Sequence, residues 1–145
     1  MYFVDREKIG TILVYLEAQV QLFSSREEWQ SPLEKAALER IAQMSLESVL
    51  DVGNAMIDGF IMRDPGSYED IIDILMDEKV VSAEIGESLK GLISFRKPLV
   101  RAYTEVDHEK LFEQYAASVP ALTTFAANVR DYLENELGPV SAFKN

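Results

Sequence analysis

Arg96-Lys97-Pro98-Leu99-Val100-Arg101-Ala102-Tyr103 sets two arginines and a tyrosine at the spacing R-x4-R-x-Y. The planar guanidinium fork of arginine matches a phosphate through two parallel hydrogen bonds. A tyrosine two residues past the second arginine offers a hydroxyl as nucleophile, proton donor or modification site. Metal-free chemistry at a phosphate needs a base for the attacking hydroxyl, an acid for the leaving oxygen and cations for the developing charge. Arg96 and Arg101 can supply only the last, because a guanidinium does not deprotonate at usable pH. Tyr103, with a reference pKa of about 10, is a weak acid and a poor base at neutral pH. The single histidine, His108, stands at the expected start of the last helix. It reads as an exposed surface residue, with a stand-in base from a shifted position as the alternative. The arginines also admit a plain structural role, facing carboxylates in a chain with 25 acidic residues.

Other chemistries lack their residues. The chain has no cysteine, no Gly-rich phosphate loop, no histidine pair and no Ser-His-Asp set, so neither a metal nor a cofactor is expected. Glu39, Glu47 and Asp51 roughly share one side of a helix. Without histidine they make a poor metal site and read as a solvated face.

The elements that must position the motif read as helices throughout. Asp5 can cap a first helix whose Ile9, Ile12, Leu13, Leu16 and Val20 recur at helical spacing. Ser24 to Gln30 reads as a polar connection carrying Trp29. Ser31-Pro32-Leu33-Glu34 combines an N-cap serine, proline at the first helical position and a capping-box glutamate. That helix is expected over residues 32–61, with Leu33, Ala37, Ile41, Met44, Val49, Val52, Met56 and Phe60 apolar. Leu46, Leu50, Ile57 and Ile61 widen the stripe beyond one face. It is either a central bundle helix or one shared between core and dimer interface, and Gly53 and Ala55 admit a close neighbour. Asp64-Pro65-Gly66-Ser67 is a turn, with Ser67 capping a short helix. Ser82 caps the next helix, which carries Ile85 to Phe95 and leads into the motif. Asp107 caps a last helix that Pro120 should bend or break.

Nothing alternates at period two. The expectation is therefore an all-α, up-and-down bundle of four to five helices, with residues 1–137 as one domain and a loose tail over 138–145. On an undistorted helix Arg96 and Tyr103 share a face, while Arg101 points about 140° away from Arg96. Converging all three on one phosphate takes one of two routes. Pro98, which lacks the N–H for the carbonyl of Ser94, could kink the helix. Alternatively, a two-fold dimer could bring Arg101 of one chain near Arg96 of the other.

The net charge of −11 repels phosphate backbones at long range. It argues against non-specific nucleic-acid binding and leaves room for a local basic pocket. Apolar runs fall short of the roughly 20 residues of a membrane span. No basic segment followed by an apolar one opens the chain. A cytoplasmic protein with no membrane association is expected.

The surroundings of the motif carry a resemblance. Leu38-Glu39-Arg40 is followed by Glu47 and Asp51, and Pro65-Gly66-Ser67-Tyr68 opens the short helix. Phe95-Arg96, Val100, Tyr103 and Val106-Asp107 precede the last helix. In this order, over about Leu33 to Leu133, the chain resembles the HepT-like branch of the HEPN superfamily and its YutE-type members. The resemblance implies a helical homodimer with the motif near the dimer cleft. It also implies metal-independent ribonuclease toxins, each paired with a nucleotidyltransferase antitoxin that adenylylates the motif tyrosine. By position, Arg96 matches the motif arginine and Tyr103 the AMP acceptor, while Arg101 stands where the family has histidine. Lys97 replaces a polar residue, and Pro98 disturbs the helix between the key positions. Two functions follow for Arg96, Arg101 and Tyr103. One is the catalytic site of an RNA-binding or RNA-cleaving toxin–antitoxin component, with activity weakened or lost. The other is a catalytically inactive homodimeric module that binds a nucleotide, RNA or a partner protein through the same cleft.

Overall fold

A computed structural model describes residues 3–138. The chain runs through α1 (Arg6–Ser24), α2 (Pro32–Gly59), α3 (Tyr68–Asp77), α4 (Ala83–Ile93), the short α5 (Arg96–Val100) and α6 (His108–Leu137). A 3₁₀ turn, Tyr103–Glu105, precedes α6, and no strand occurs among the described residues. The architecture is all-helical, as the periodicity requires.

Each long helix starts at the side chain the sequence offers. The carboxylate of Asp5 accepts from the Lys8 amide, Ser67 from Asp70, Ser82 from Ile85 and Asp107 from Lys110. Ser31 and Glu34 form the full capping box of α2. Such caps satisfy amide N–H groups that the first turn leaves without partners.

α2 is the central helix, packed against α1, α3 and α6 and touching α4 and α5. Leu38, Leu46, Val52 and Met56 on α2 are fully enclosed, with Leu13 and Leu16 of α1, Leu75 of α3 and Phe125 of α6. Gly53 brings α3 close, since a Cβ there would lie 2.5 Å from Ile71 Cγ2. α2 stops before Ile61, which takes a left-handed φ of 55°. Met62 then donates back to the carbonyl of Ile57 at 2.9 Å. Ile61 and Leu33, expected in the apolar stripe, are instead exposed.

α6 runs unbroken through Pro120. Pro120 is exposed, while Ala121 and Leu122 beside it are buried. Water can reach the helix on the proline's side, and packing of its neighbours keeps the helix on the core. The expected loose tail lies outside the described residues except for Gly138, whose carbonyl accepts from Arg6 at 2.7 Å. No helix among the described residues is long and apolar enough to cross a membrane.

Candidate functional site

α4 ends at Ile93, and α5 begins afresh at Arg96. Pro98 therefore falls in the first turn of a helix, where its missing N–H leaves no bond unmade. The expected kink at Pro98 is a helix break at Ser94 and Phe95 instead. α5 is pinned to the core by Leu99, which is buried. It ends one turn later with Arg101 as C-cap, and Tyr103 opens the 3₁₀ turn. Arg96 and Tyr103 are thus not two turns apart on one helix.

Arg96 is held from two sides. Its Nε donates to Glu47 Oε1 of α2 at 2.6 Å, and both side chains are about three-quarters buried, at 24% and 23% exposure. Its guanidinium carbon lies 4.2 Å from the ring centroid of Tyr68, the first residue of α3. The terminal nitrogens of Arg96 have no partner among the described residues. Their four N–H donors are the end of the fork that reads a phosphate.

Arg101 and Tyr103 are placed differently. Both are exposed, Tyr103 at 66%. Neither side chain has a hydrogen bond, ion pair or ring contact among the described residues. Lys97, also exposed, shares this freedom. Within one chain the fold brings Glu47 and Tyr68 to Arg96, and brings neither Arg101 nor Tyr103 there.

His108 is not the exposed residue expected. Its Nε2 lies 2.6 Å from Glu39 Oε2, with the two side chains 24% and 30% exposed. His108 also lines an open groove of about 840 Å³ with Trp29, Lys35 and Phe112. Glu39 and Glu47 are eight residues apart on α2, about 12 Å along its axis. A base must come within about 3 Å of the proton it takes. The stand-in reading for His108 therefore has no geometry beside Arg96 within one chain.

The carboxylates were also misread as a solvated face. Of the three, only Asp51 is exposed; Glu47 pairs with Arg96 and Glu39 lies within hydrogen-bond distance of the His108 ring, both from distant segments. Sequence reasoning missed Tyr68 as part of the site. Its one signal is its place after Pro65-Gly66-Ser67, which marks a helix start and says nothing about Arg96.

An all-helical bundle that fixes an arginine between a glutamate of its central helix and a tyrosine ring is the class of protein that fold and site define. The model of the ribonuclease HepT-like family matches residues 12–129. The chain belongs to that family. It is 54% identical over 144 residues to the candidate RNase YutE of Bacillus subtilis (strain 168), covering 99% of this chain and all of that one. The solved structure of Bacillus subtilis YutE, described as a cytosolic protein of unknown function, superposes with a TM-score of 0.95 over the same 99% and 100%. A toxin–antitoxin structure with AMP-PNP matches with a TM-score of 0.73 at 13% identity, over 83% of this chain and 96% of the other. A structure of the MntA–HpeT toxin–antitoxin pair gives 0.75 at 12%, over 85% and 98%. At those identities the last two likenesses concern the fold alone.

Proposed function

We propose that this chain is the RNA-directed component of a toxin–antitoxin pair, acting in the cytoplasm as a homodimer. Arg96 and Arg101 contact RNA phosphates, and Tyr103 accepts AMP from a nucleotidyltransferase partner. The observation that carries this reading is the state of Arg96: fixed through Nε by Glu47, with both terminal nitrogens unclaimed. The exposure of Tyr103 suits a hydroxyl that another enzyme must reach. Arg101 is free to face a second protomer, the route by which a two-fold axis would complete the phosphate site.

A second reading, a catalytically inactive interaction or nucleotide-binding module, draws on the missing base. Arg101 cannot take a proton, and Glu39 holds His108 elsewhere. One assay separates the two: RNA cleavage by wild type, Arg96→Ala and Arg101→His, with the mass of the assembly checked by light scattering. Cleavage by wild type that Arg96→Ala abolishes supports the ribonuclease. An inert wild type that gains cleavage with Arg101→His supports a binding frame that lost its base. A wild type that neither cuts nor binds RNA refutes the RNA reading.

A further inference from the structure

The turn before α3 is tied more tightly than a surface turn needs. The carboxylate of Asp70 accepts from both terminal nitrogens of Arg63, at 2.8 and 2.9 Å, and from the Gly66 amide at 2.8 Å. The Asp70 amide donates to the Ser67 hydroxyl at 3.0 Å. These four bonds gather Arg63, Gly66 and Ser67 onto the first turn of α3. Gly53 admits Ile71 against α2, which seats that same turn on the central helix. The residue presented by this lock is Tyr68, 46% exposed. Its hydroxyl has no partner among the described residues, so no hydrogen bond explains its place. Its ring face lies against the guanidinium of Arg96.

A single hydrogen bond from Nε to Glu47 leaves a guanidinium free to pivot. An aromatic ring 4.2 Å from the guanidinium carbon limits that freedom and is itself attractive to the cation. We infer that Tyr68 is a positioning residue: with Glu47 it sets the plane of Arg96 so that both terminal nitrogens meet one RNA phosphate at once. The phosphate half of this inference rests on the RNA reading above; the fixing of Arg96 does not. Two-pronged recognition loses its second hydrogen bond when the plane tilts, so the stack acts on affinity although Tyr68 never touches the phosphate.

The test uses the full chain and a short single-stranded oligouridine carrying 2′-O-methyl groups, which cannot be cleaved. Binding is titrated for wild type, Tyr68→Phe, Tyr68→Leu and Asp70→Asn. The Nε–Hε resonance of Arg96, which the adjacent ring is expected to shift, is followed by NMR in the same proteins. Tyr68→Phe is expected to keep affinity within about twofold and the resonance in place. Tyr68→Leu is expected to weaken binding about 3- to 10-fold and to move the resonance, in line with the strength of a cation–ring contact. Asp70→Asn, which leaves the ring in the chain and loosens its lock, should shift both in the same direction by less.

A resonance that moves without any loss of affinity overturns the inference. So does a loss of affinity with an unmoved resonance, because Tyr68 would then act directly on the RNA. Wild type that fails to bind the oligonucleotide, while Tyr68→Leu still moves the resonance, overturns the RNA reading and leaves the fixing of Arg96 standing.

Discussion

Two carboxylate contacts sit on the same helix with nearly the same burial and the same 2.6 Å distance, yet they leave their partners in different states. Glu47 meets Arg96, and two turns away Glu39 meets His108. Arginine has five donors, so giving Nε to Glu47 leaves the fork's end free. Histidine has two ring nitrogens, and Glu39 takes one, leaving a single site for anything else. Arg96 also leans on an aromatic ring, and no such contact is made by His108 among the described residues. The first arrangement fixes the arginine by one bond and leaves its terminal donors open. The second ties the head of α6 to the middle of the bundle. Equal burial and equal distance therefore do not imply equal function; what differs is the donor capacity left over.

Replacing Arg96 and His108 in turn gives the strongest test of this contrast. Arg96→Ala should lower affinity for the 2′-O-methyl oligouridine by roughly 10- to 100-fold, the worth of hydrogen bonds to a charged group. His108→Ala should leave that affinity within about twofold and cost on the order of 1 kcal/mol of stability in urea unfolding. If His108→Ala weakens RNA binding as much as Arg96→Ala, the two contacts on α2 act as one site and the division fails.

The contrast also shows what a sequence can carry. Caps are local: Asp5, Ser31, Ser67, Ser82 and Asp107 lie within three residues of the amides they satisfy, and all five starts were legible. So was α2 as a central helix, because its apolar stripe is wider than one neighbour can cover. The pairs Glu47–Arg96 and Glu39–His108 join residues 49 and 69 positions apart. Spacing along one helix placed both glutamates on a side, and it could not say which helix would cover that side. At Pro98 and Pro120 the sequence left the outcome open for a related reason: the helix breaks at Ser94 and Phe95 ahead of Pro98, and α6 is not broken at Pro120. A proline's cost depends on whether it lies in a first turn or on a wet face, and tertiary structure decides both. Tyr68 was visible as part of a helix start and invisible as the support of an arginine 28 positions on (96 − 68).

Between the two glutamates, on the buried side of α2, lies a third polar contact with neither charge nor exposure. The hydroxyls of Ser45 and Tyr115 are 2.8 Å apart, and both residues are fully buried. Tyr115→Phe leaves Ser45 unpaired in the core and should cost about 1–3 kcal/mol at neutral pH. Burial pushes the Tyr115 hydroxyl up to about 12, against a smaller downward pull from Ser45. Above about pH 10 the unfolded chain would release this proton while the folded chain keeps it. The contribution is thus complete below about pH 10 and falls as pH rises toward 12, by up to roughly 1.4 kcal/mol per pH unit. Phenylalanine has no such slope. The stability gap between wild type and Tyr115→Phe, measured in urea at pH 8 and pH 11, should narrow at the higher pH. A gap that widens would mean the hydroxyl is not held protonated by the core.

The smallest effect belongs to a pair whose geometry is the best of the set. Arg130 of α6 grips Glu17 of α1 with two hydrogen bonds, at 2.7 and 2.8 Å, but the side chains are 42% and 44% exposed. The hydrogen bond from Arg130 holds the Glu17 carboxyl below its ordinary range. Its contribution is therefore present above about pH 4.5 and lost as pH falls further. Water screens both partners, so Arg130→Ala should cost under about 1 kcal/mol. Raising salt from 0.05 to about 0.5 M should erase most of that difference. Better geometry with a smaller effect than His108→Ala would place burial above bond count in this bundle. A loss at Arg130 that exceeds the loss at His108 and persists in high salt would reverse that ranking, and would make the α1–α6 contact, rather than α2, the seam that holds the helices together.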